Sequence, residues 1–244
     1  MWSQPPQTLM LSNGEAHVWR LRLEQPSDWR ESFLQTLDQD ERERADRFHF
    51  EKHRRHFVMG RGGLRTLLAR YLETKPDEVR FSYGAYGKPA LDGEHRDSPL
   101  RFNASHSGDL AVYAFVQNHE IGIDVEYVTR TVASEDIARR FFSAHEVEAL
   151  NALPEAQRAA AFFRCWTRKE AYIKAIGSGL SHPLDEFDVT LAPDETAALL
   201  RVQGDPESVA RWSMFDLDVG EGYTAALVVD GPVHKLHGFE LETL

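Results

Sequence analysis

The sequence predicts an α+β fold of two pseudo-symmetric halves, residues 1–120 and 121–244, with a ligand cleft between them. Three observations predict it. An order of strand, helices, extended segment and closing strands is read once before Ile121 and again from it. The two passes close on similar strands, Ala111–Val116 and Thr224–Val229. The chain of 244 residues is 42% hydrophobic and 27% charged, ordinary for a globular protein and long enough for a real core.

The first pass opens on His17 to Glu24, where Val18, Leu21 and Leu23 mark a strand. Asp38 to Tyr71 reads as helix in at least two pieces. Phe48, Phe50, Phe57 and Met59 begin an apolar surface, which Leu64, Leu67, Leu68 and Leu72 continue at helical spacing. Gly60, Gly62 and Gly63 interrupt the second piece and allow close approach of a backbone or a ligand. Phe81 to Leu91 is extended and rich in turns. Its Lys88 sits between Gly87 and Pro89, where regular helix cannot form. Ser105-His106-Ser107 lies before Gly108 in a tight turn. Its hydroxyls, imidazole and amides suit an anion; a capped turn explains the same residues. Leu110 to Val116 is a strand.

The second pass opens on Ile121-Gly122-Ile123-Asp124-Val125-Glu126. Alternation puts the three apolar side chains on one face and Asp124 and Glu126 on the other. Two acids on one half-buried face repel unless a cation lies between them, and oxygen ligands suit Mg²⁺. An exposed strand face is the plainer explanation. Ile137 to Ala152 reads as one helix ending near Pro154, and Ala156 to Ala175 as a second, stopped at Gly177-Ser178-Gly179. On the latter, Glu170 and Lys174 are four residues apart and share a face, as a surface ion pair or as a phosphate-facing edge. Ser181 to Val189 is extended. Arg211–Asp218 and Tyr223–Val229 form a hairpin through Gly220-Glu221-Gly222. The last residues have no clear assignment.

A net charge of −11 argues against a protein whose main business is nucleic acid. The charge is uneven, because Arg42, Arg44, Arg47, Lys52, Arg54, Arg55, Arg61, Arg65 and Arg70 crowd one stretch. Such a patch fits a small anionic ligand or a salt-bridged helix face. Cys165 is the sole cysteine, which excludes an intramolecular disulfide, agrees with a reducing compartment, and reads as a packed thiol. Met1 to Pro6 lacks a basic region before an apolar core, and no run of about 18 apolar residues follows. A cytoplasmic protein without membrane association is the expectation. A cleft within one chain makes a monomer the expectation too.

Phe102-Asn103-Ala104-Ser105-His106-Ser107-Gly108, then Gly122-Ile123-Asp124-Val125-Glu126, then Trp166-Thr167-Arg168-Lys169-Glu170-Ala171 with Lys174 resemble the three ordered motifs of the Sfp-type 4'-phosphopantetheinyl transferases. Gly87-Lys88-Pro89, and Pro183-Leu184 with Phe187, resemble flanking segments of that family. The match runs from about Arg44 to Val189; each motif alone is weak, and their order and spacing together are specific.

The resemblance implies the family's two-halved fold. It also implies Mg²⁺-dependent transfer of the phosphopantetheine arm of coenzyme A to a serine of an acyl or peptidyl carrier protein, releasing 3',5'-phosphoadenosine. Asp124, Glu126 and Glu170 match metal ligands, and Glu170 could also take the serine proton. Lys174 matches the lysine beside the pyrophosphate. Ser105 and His106 match phosphate contacts, and Lys88 a coenzyme A contact. Arg44 and Arg61 are the nearest matches for the 3'-phosphate, with Arg54 and Arg55 in reach of a shifted alignment; Glu41 stands where some relatives carry a base. The resemblance assigns coenzyme A to the N-terminal half, and the metal and catalytic helix to the C-terminal half. Carrier proteins are generally acidic, as this chain is, so docking should rest on a local apolar or Arg-bearing patch. A Mg²⁺-dependent phosphodiesterase acting on coenzyme A and a non-catalytic coenzyme A-binding module are the alternatives.

Overall fold

The computed structural model describes residues 2–128 and 134–242. The first pass consists of β1 (Trp2–Ser3), β2 (Glu15–Arg22), α1 (Ser27–Thr36), α2 (Gln39–Asp46), α3 (Glu51–Leu72), the hairpin β3 (Arg80–Tyr83) and β4 (Pro89–Asp92), then β5 (Leu100–Ser107) and β6 (Leu110–Gln117). The second consists of β7 (Ile121–Tyr127), α4 (Ser134–Phe141), α5 (Ala144–Ala152), α6 (Glu155–Ile176), the pair β8 (Phe187–Val189) and β9 (Leu199–Val202), then β10 (Trp212–Leu217) and β11 (Tyr223–Asp230). A last strand, β12 (Lys235–Glu240), follows.

The repeat is visible in the sheets. The first sheet contains β2-β6-β5 in that order, and the second is β7-β11-β10, so corresponding strands hold corresponding places. β12 is the exception. It pairs parallel to β2, with β1 parallel on its other side, so the chain's last strand lies in the sheet of the first pass.

Alternation along the strands makes four layers. One face of the first sheet (Trp19, Leu21, Tyr113, Phe115) packs on α1 and α3. Its other face (Val18, Val112, Ala114, Val116) meets Ile121, Ile123, Val125, Leu227 and Val229 of the second sheet. The far face of that sheet, with Ala226 and Val228, packs on α6.

The two long helices are anchored alike. Asp38-x-x-Glu41 caps α2 and Ser143-x-x-Glu146 caps α5, each by reciprocal side-chain-to-backbone bonds. In each half the capping glutamate then receives a buried cation from the following long helix. Arg65, fully buried in α3, donates to Glu41 Oε2 (2.6 Å), Asp38 Oδ2 (2.6 Å) and the Pro76 and Val79 carbonyls (both 2.9 Å). Lys169, fully buried in α6, pairs with Glu146 Oε2 (2.8 Å) and donates to the Leu184 and Phe187 carbonyls (both 2.6 Å). Lys169 of the third motif is thus a core strut.

Several expectations need correction. α1 has no counterpart in the sequence reading: Ser27–Thr36 is a short segment that buries only Phe33 fully and rests Trp29 and Leu34 partly against the core. α3 runs unbroken through its three glycines. Gly62 abuts Phe33 and Gly63 abuts Leu21 and the Tyr113 hydroxyl, so bare backbone there lets α1 and the sheet approach. Ile137–Ala152 is two helices, because Ser143 starts a new one with its capping box. Ser105-His106-Ser107 lies in β5, and the turn begins at Gly108.

Candidate active site

The site forms where β5, β7 and α6 meet. Gly122 brings them together: a methyl group there would collide with the Ala171 carbonyl and the Ala175 amide of α6. Helix backbone therefore rests on strand backbone, and Glu170 and Lys174 come level with Asp124. On the other side, side chains of β5 stitch to the edge of β7. Asn103 Oδ1 accepts from the Ile123 amide at 3.0 Å, and Ser107 Oγ from the Tyr127 amide at 3.1 Å. At period two along β5, the serines between and beyond hold the acids: Ser105 Oγ donates to Asp124 Oδ1 (2.8 Å) and Ser107 Oγ to Glu126 Oε2 (2.8 Å).

Lys174 does not pair with Glu170, its neighbour one turn away. Its Nζ donates to Asp124 Oδ1 at 2.5 Å and to Ser105 Oγ at 3.0 Å. Glu170 is left with negative neighbours. Burial first, and then the charges of Asp124 and Glu126, push its carboxyl up to about 7 against the pull of Lys174. Glu126 is likewise raised by burial and by Asp124. Asp124 Oδ2 and Glu170 Oε1 are buried and receive no hydrogen bond. Three carboxylates against one ammonium, two of them with an orphaned buried oxygen, fit a hard cation with oxygen preference. The acids are not drawn to ligand spacing, however: among the described residues, the triads whose donor atoms all lie within 4.8 Å of one another are Glu15–His17–His237 and Glu24–His56–Asp109.

Two cavities adjoin this junction along β5. One of about 350 Å³ is lined by Tyr86, Lys88, Pro89, Asn103, Glu170 and Lys174. The other, about 490 Å³, lies between α3 and β5 and shares Pro89, Asn103 and Ala104 with the first. It presents Arg44, His53, His56, Arg61, Ser105 and His106 beside apolar Phe48, Phe57 and Leu64. Arg44 lies 5.1 Å over the Phe57 ring. Arg61 pairs with Glu41, donates to the Tyr83 hydroxyl (2.6 Å) and lies 4.0 Å over the Phe81 ring. Lys88 Nζ is bound to Glu120 Oε2 (2.7 Å) and the Ala175 carbonyl (2.9 Å). His106 is open to solvent, yet the surrounding chain, then the charges of Lys174 and His56, hold its imidazole below the usual histidine range.

The fold thus gathers Asp124, Glu126, Glu170, Lys174 and Ser105 at one junction, and Arg44, Arg61 and His106 around the adjoining cavity. Arg54 and Arg55 point elsewhere, to Asp46 (3.1 Å) and Glu24 (2.6 Å). Sequence reasoning missed His53 and His56. A stripe at 53, 56, 57, 60, 61 and 64, mixing cations and aromatics on one face of α3, was the signal for them.

Orphaned carboxylate oxygens, a lysine and a cationic cavity are the makings of an enzyme that handles phosphate esters. The comparisons agree. The chain matches the 4'-phosphopantetheinyl transferase superfamily over residues 120–228, and the N-terminal region of 4'-phosphopantetheinyl transferases over residues 24–118. It is 41% identical to the 4'-phosphopantetheinyl transferase HetI of Nostoc sp. over 230 residues, 94% of each chain. It is 32% identical to the 4'-phosphopantetheinyl transferase Sfp of Bacillus subtilis over 203 residues, 83% of this chain and 86% of that one. The chain belongs to the 4'-phosphopantetheinyl transferase superfamily. Among the described residues, no helix is long and apolar enough to cross a membrane.

Proposed function

We propose that this protein transfers the 4'-phosphopantetheine group of coenzyme A to a serine of an acyl or peptidyl carrier protein. The observation that carries the reading is the junction of Asp124, Glu126, Glu170 and Lys174, with two buried carboxylate oxygens lacking donors, beside a cationic cavity. The cavity between α3 and β5 offers apolar walls and cationic groups, a suitable bed for a phosphorylated nucleoside. From a pyrophosphate at the junction, the pantetheine arm would run outward past Glu170 and Lys88 through the smaller cavity. Arg44 and His106 are open to an anion; Arg61 would have to share its guanidinium with Glu41.

Asp124, Glu126 and Glu170 would hold Mg²⁺, which when bound supplies positive charge against the pyrophosphate oxygens. The serine oxygen attacks the phosphorus bearing pantetheine. The bond from that phosphorus to the bridging oxygen breaks, and 3',5'-phosphoadenosine leaves with the electron pair. Lys174 stands to neutralise the departing phosphate. Glu170, beside the attacking hydroxyl in this reading, would take the serine proton, directly or through water. Ser105 and Ser107 orient the acids, and we assign them that role ahead of phosphate binding.

The test is to incubate protein, coenzyme A, Mg²⁺ and apo carrier proteins and weigh the carriers. Gain of one phosphopantetheine unit is expected, and its absence across a carrier panel would overturn the reading. Free phosphopantetheine formed without carrier would indicate hydrolysis instead. Asp124→Ala should abolish transfer with the fold intact. Glu170→Gln keeps the shape and removes the charge, so full activity in it would strip Glu170 of both roles.

A further inference from the structure

A second ligand-bearing cluster lies on the other side of the first sheet from the Asp124 junction. Parallel pairing sets His237 of β12 directly beside His17 of β2, and Lys235 beside Glu15. Residues two apart on a strand share a face, so Glu15, His17 and His237 converge on the face turned toward α3. One donor atom from each lies within 4.8 Å of the others.

The rings are held in place. His17 is buried, its Nδ1 2.8 Å from the Tyr71 hydroxyl, which also accepts from Trp19 Nε1 at 2.9 Å. That contact fixes the imidazole and leaves Nε2 as the nitrogen available to a metal, the arrangement that orients metal-binding histidines. His237 stacks on Phe239 at 5.9 Å and meets His17 edge-on at 5.2 Å.

We propose that Glu15, His17 and His237 form a zinc-type site that clips the last strand of the chain to β2. Two imidazoles and one carboxylate suit Zn²⁺ or Co²⁺, whereas Mg²⁺ prefers oxygen donors throughout. Tetrahedral Zn²⁺ with bonds of about 2.0–2.1 Å spaces its donors by about 3.3 Å, so side-chain adjustments close the cluster. A water completes the coordination. Lys235 Nζ, 3.5 Å from Glu15 Oε1, is the competing cation; its side chain is 61% exposed and free to swing out. The other triad, Glu24–His56–Asp109, has one imidazole, and Lys52 and Arg55 already pair with its acids.

The site joins segments far apart in sequence, so the metal binds the folded chain and stabilises it. The experiment titrates ZnCl₂ into tag-free, chelator-treated full-length protein under excess Mg²⁺, following calorimetry and thermal unfolding. One equivalent should bind and raise Tm by about 5–10 °C at a hundredfold excess over Kd. Affinity should fall at least tenfold, on the order of the loss of one ligand, in His237→Ala and in Glu15→Gln. It should rise in Lys235→Met and stay unchanged in His56→Ala. No saturable Zn²⁺-dependent shift in the wild type, or an undiminished one in His237→Ala, overturns the proposal. Should His237→Ala fail to fold, the tetrahedral Co²⁺ absorption band, present in wild type and stronger at equal Co²⁺ in Lys235→Met, carries the test; its absence from both refutes the site.

Discussion

Gly122→Ala isolates the contact on which the site depends. The residue is not at positive φ, so alanine is free of backbone strain there and the whole effect is steric. The added methyl would stand inside the van der Waals radii of Ala171 O and Ala175 N, and 3.0 Å from the Lys174 carbonyl carbon. These are backbone atoms of a helix and cannot rotate away. Ordinary carbon contacts lie near 3.5–4.0 Å, so α6 must withdraw from β7 by on the order of 1 Å. Overpacking typically costs about 1–3 kcal/mol, and backbone against backbone belongs at or above the upper end. For a chain of this size about 3 kcal/mol lowers Tm by roughly 6–12 °C. The same withdrawal pulls Lys174 from Asp124 and misplaces Glu170; a shift of about 1 Å at a catalytic group costs about a hundredfold in rate. Thermal unfolding and the carrier-mass assay read the two effects. For the stability readout Gly60→Ala is the control, since nothing stands within 4 Å of a methyl there, and it should be neutral or stabilising by up to about 1 kcal/mol. Wild-type stability and turnover in Gly122→Ala would refute this account of how the acids and the lysine meet.

Three further outcomes are expected. Lys169→Ala leaves Glu146 as an unpaired buried charge and should cost about 3–5 kcal/mol, with Lys169→Met/Glu146→Gln recovering part of the loss in a denaturant titration. Asp188 is chelated by Arg201 at 2.7 and 3.2 Å; burial works to raise its carboxyl, yet Arg201 and Ser143 bring it net below its usual value. A depressed carboxylate contributes stability above its unfolded value, lost as pH falls through the folded one. Asp188→Asn should therefore cost about 1–2 kcal/mol at pH 7, Arg201 being 45% exposed, and the gap should close below about pH 4. Cys165 is buried, and burial followed by the Glu146 charge raises its thiol pKa well above the usual range. A thiol reagent should label it only after unfolding; prompt labelling of the native protein would contradict its place in the core.

The sequence carried the fold class and named the residues that meet at the junction of β5, β7 and α6. Period-two alternation wrote out β7 with its two acids, and the third motif, together with the first two, pointed to α6. The repeated order of elements was legible where the elements were long or strongly patterned. α1 was not: its span is under three turns, and only Phe33 is fully buried. β12 was not, because its partner β2 is the whole chain away and parallel pairing has no local signature. Lys169 and Glu170 are adjacent in one motif, yet one is a buried strut and the other faces the cavity. Successive helix positions differ by about 100°, and only the packing of α6 decides which side is core. By itself the sequence determined the family to which the chain belongs and nominated Asp124, Glu126, Glu170 and Lys174, while His53 and His56 escaped it. Only the tertiary structure decided their pairing, Lys174 with Asp124 and Ser105 rather than with Glu170. The reason is that Gly122 lets helix and strand backbones touch, and at that separation the strand's carboxylate outcompetes one a turn away on the same helix.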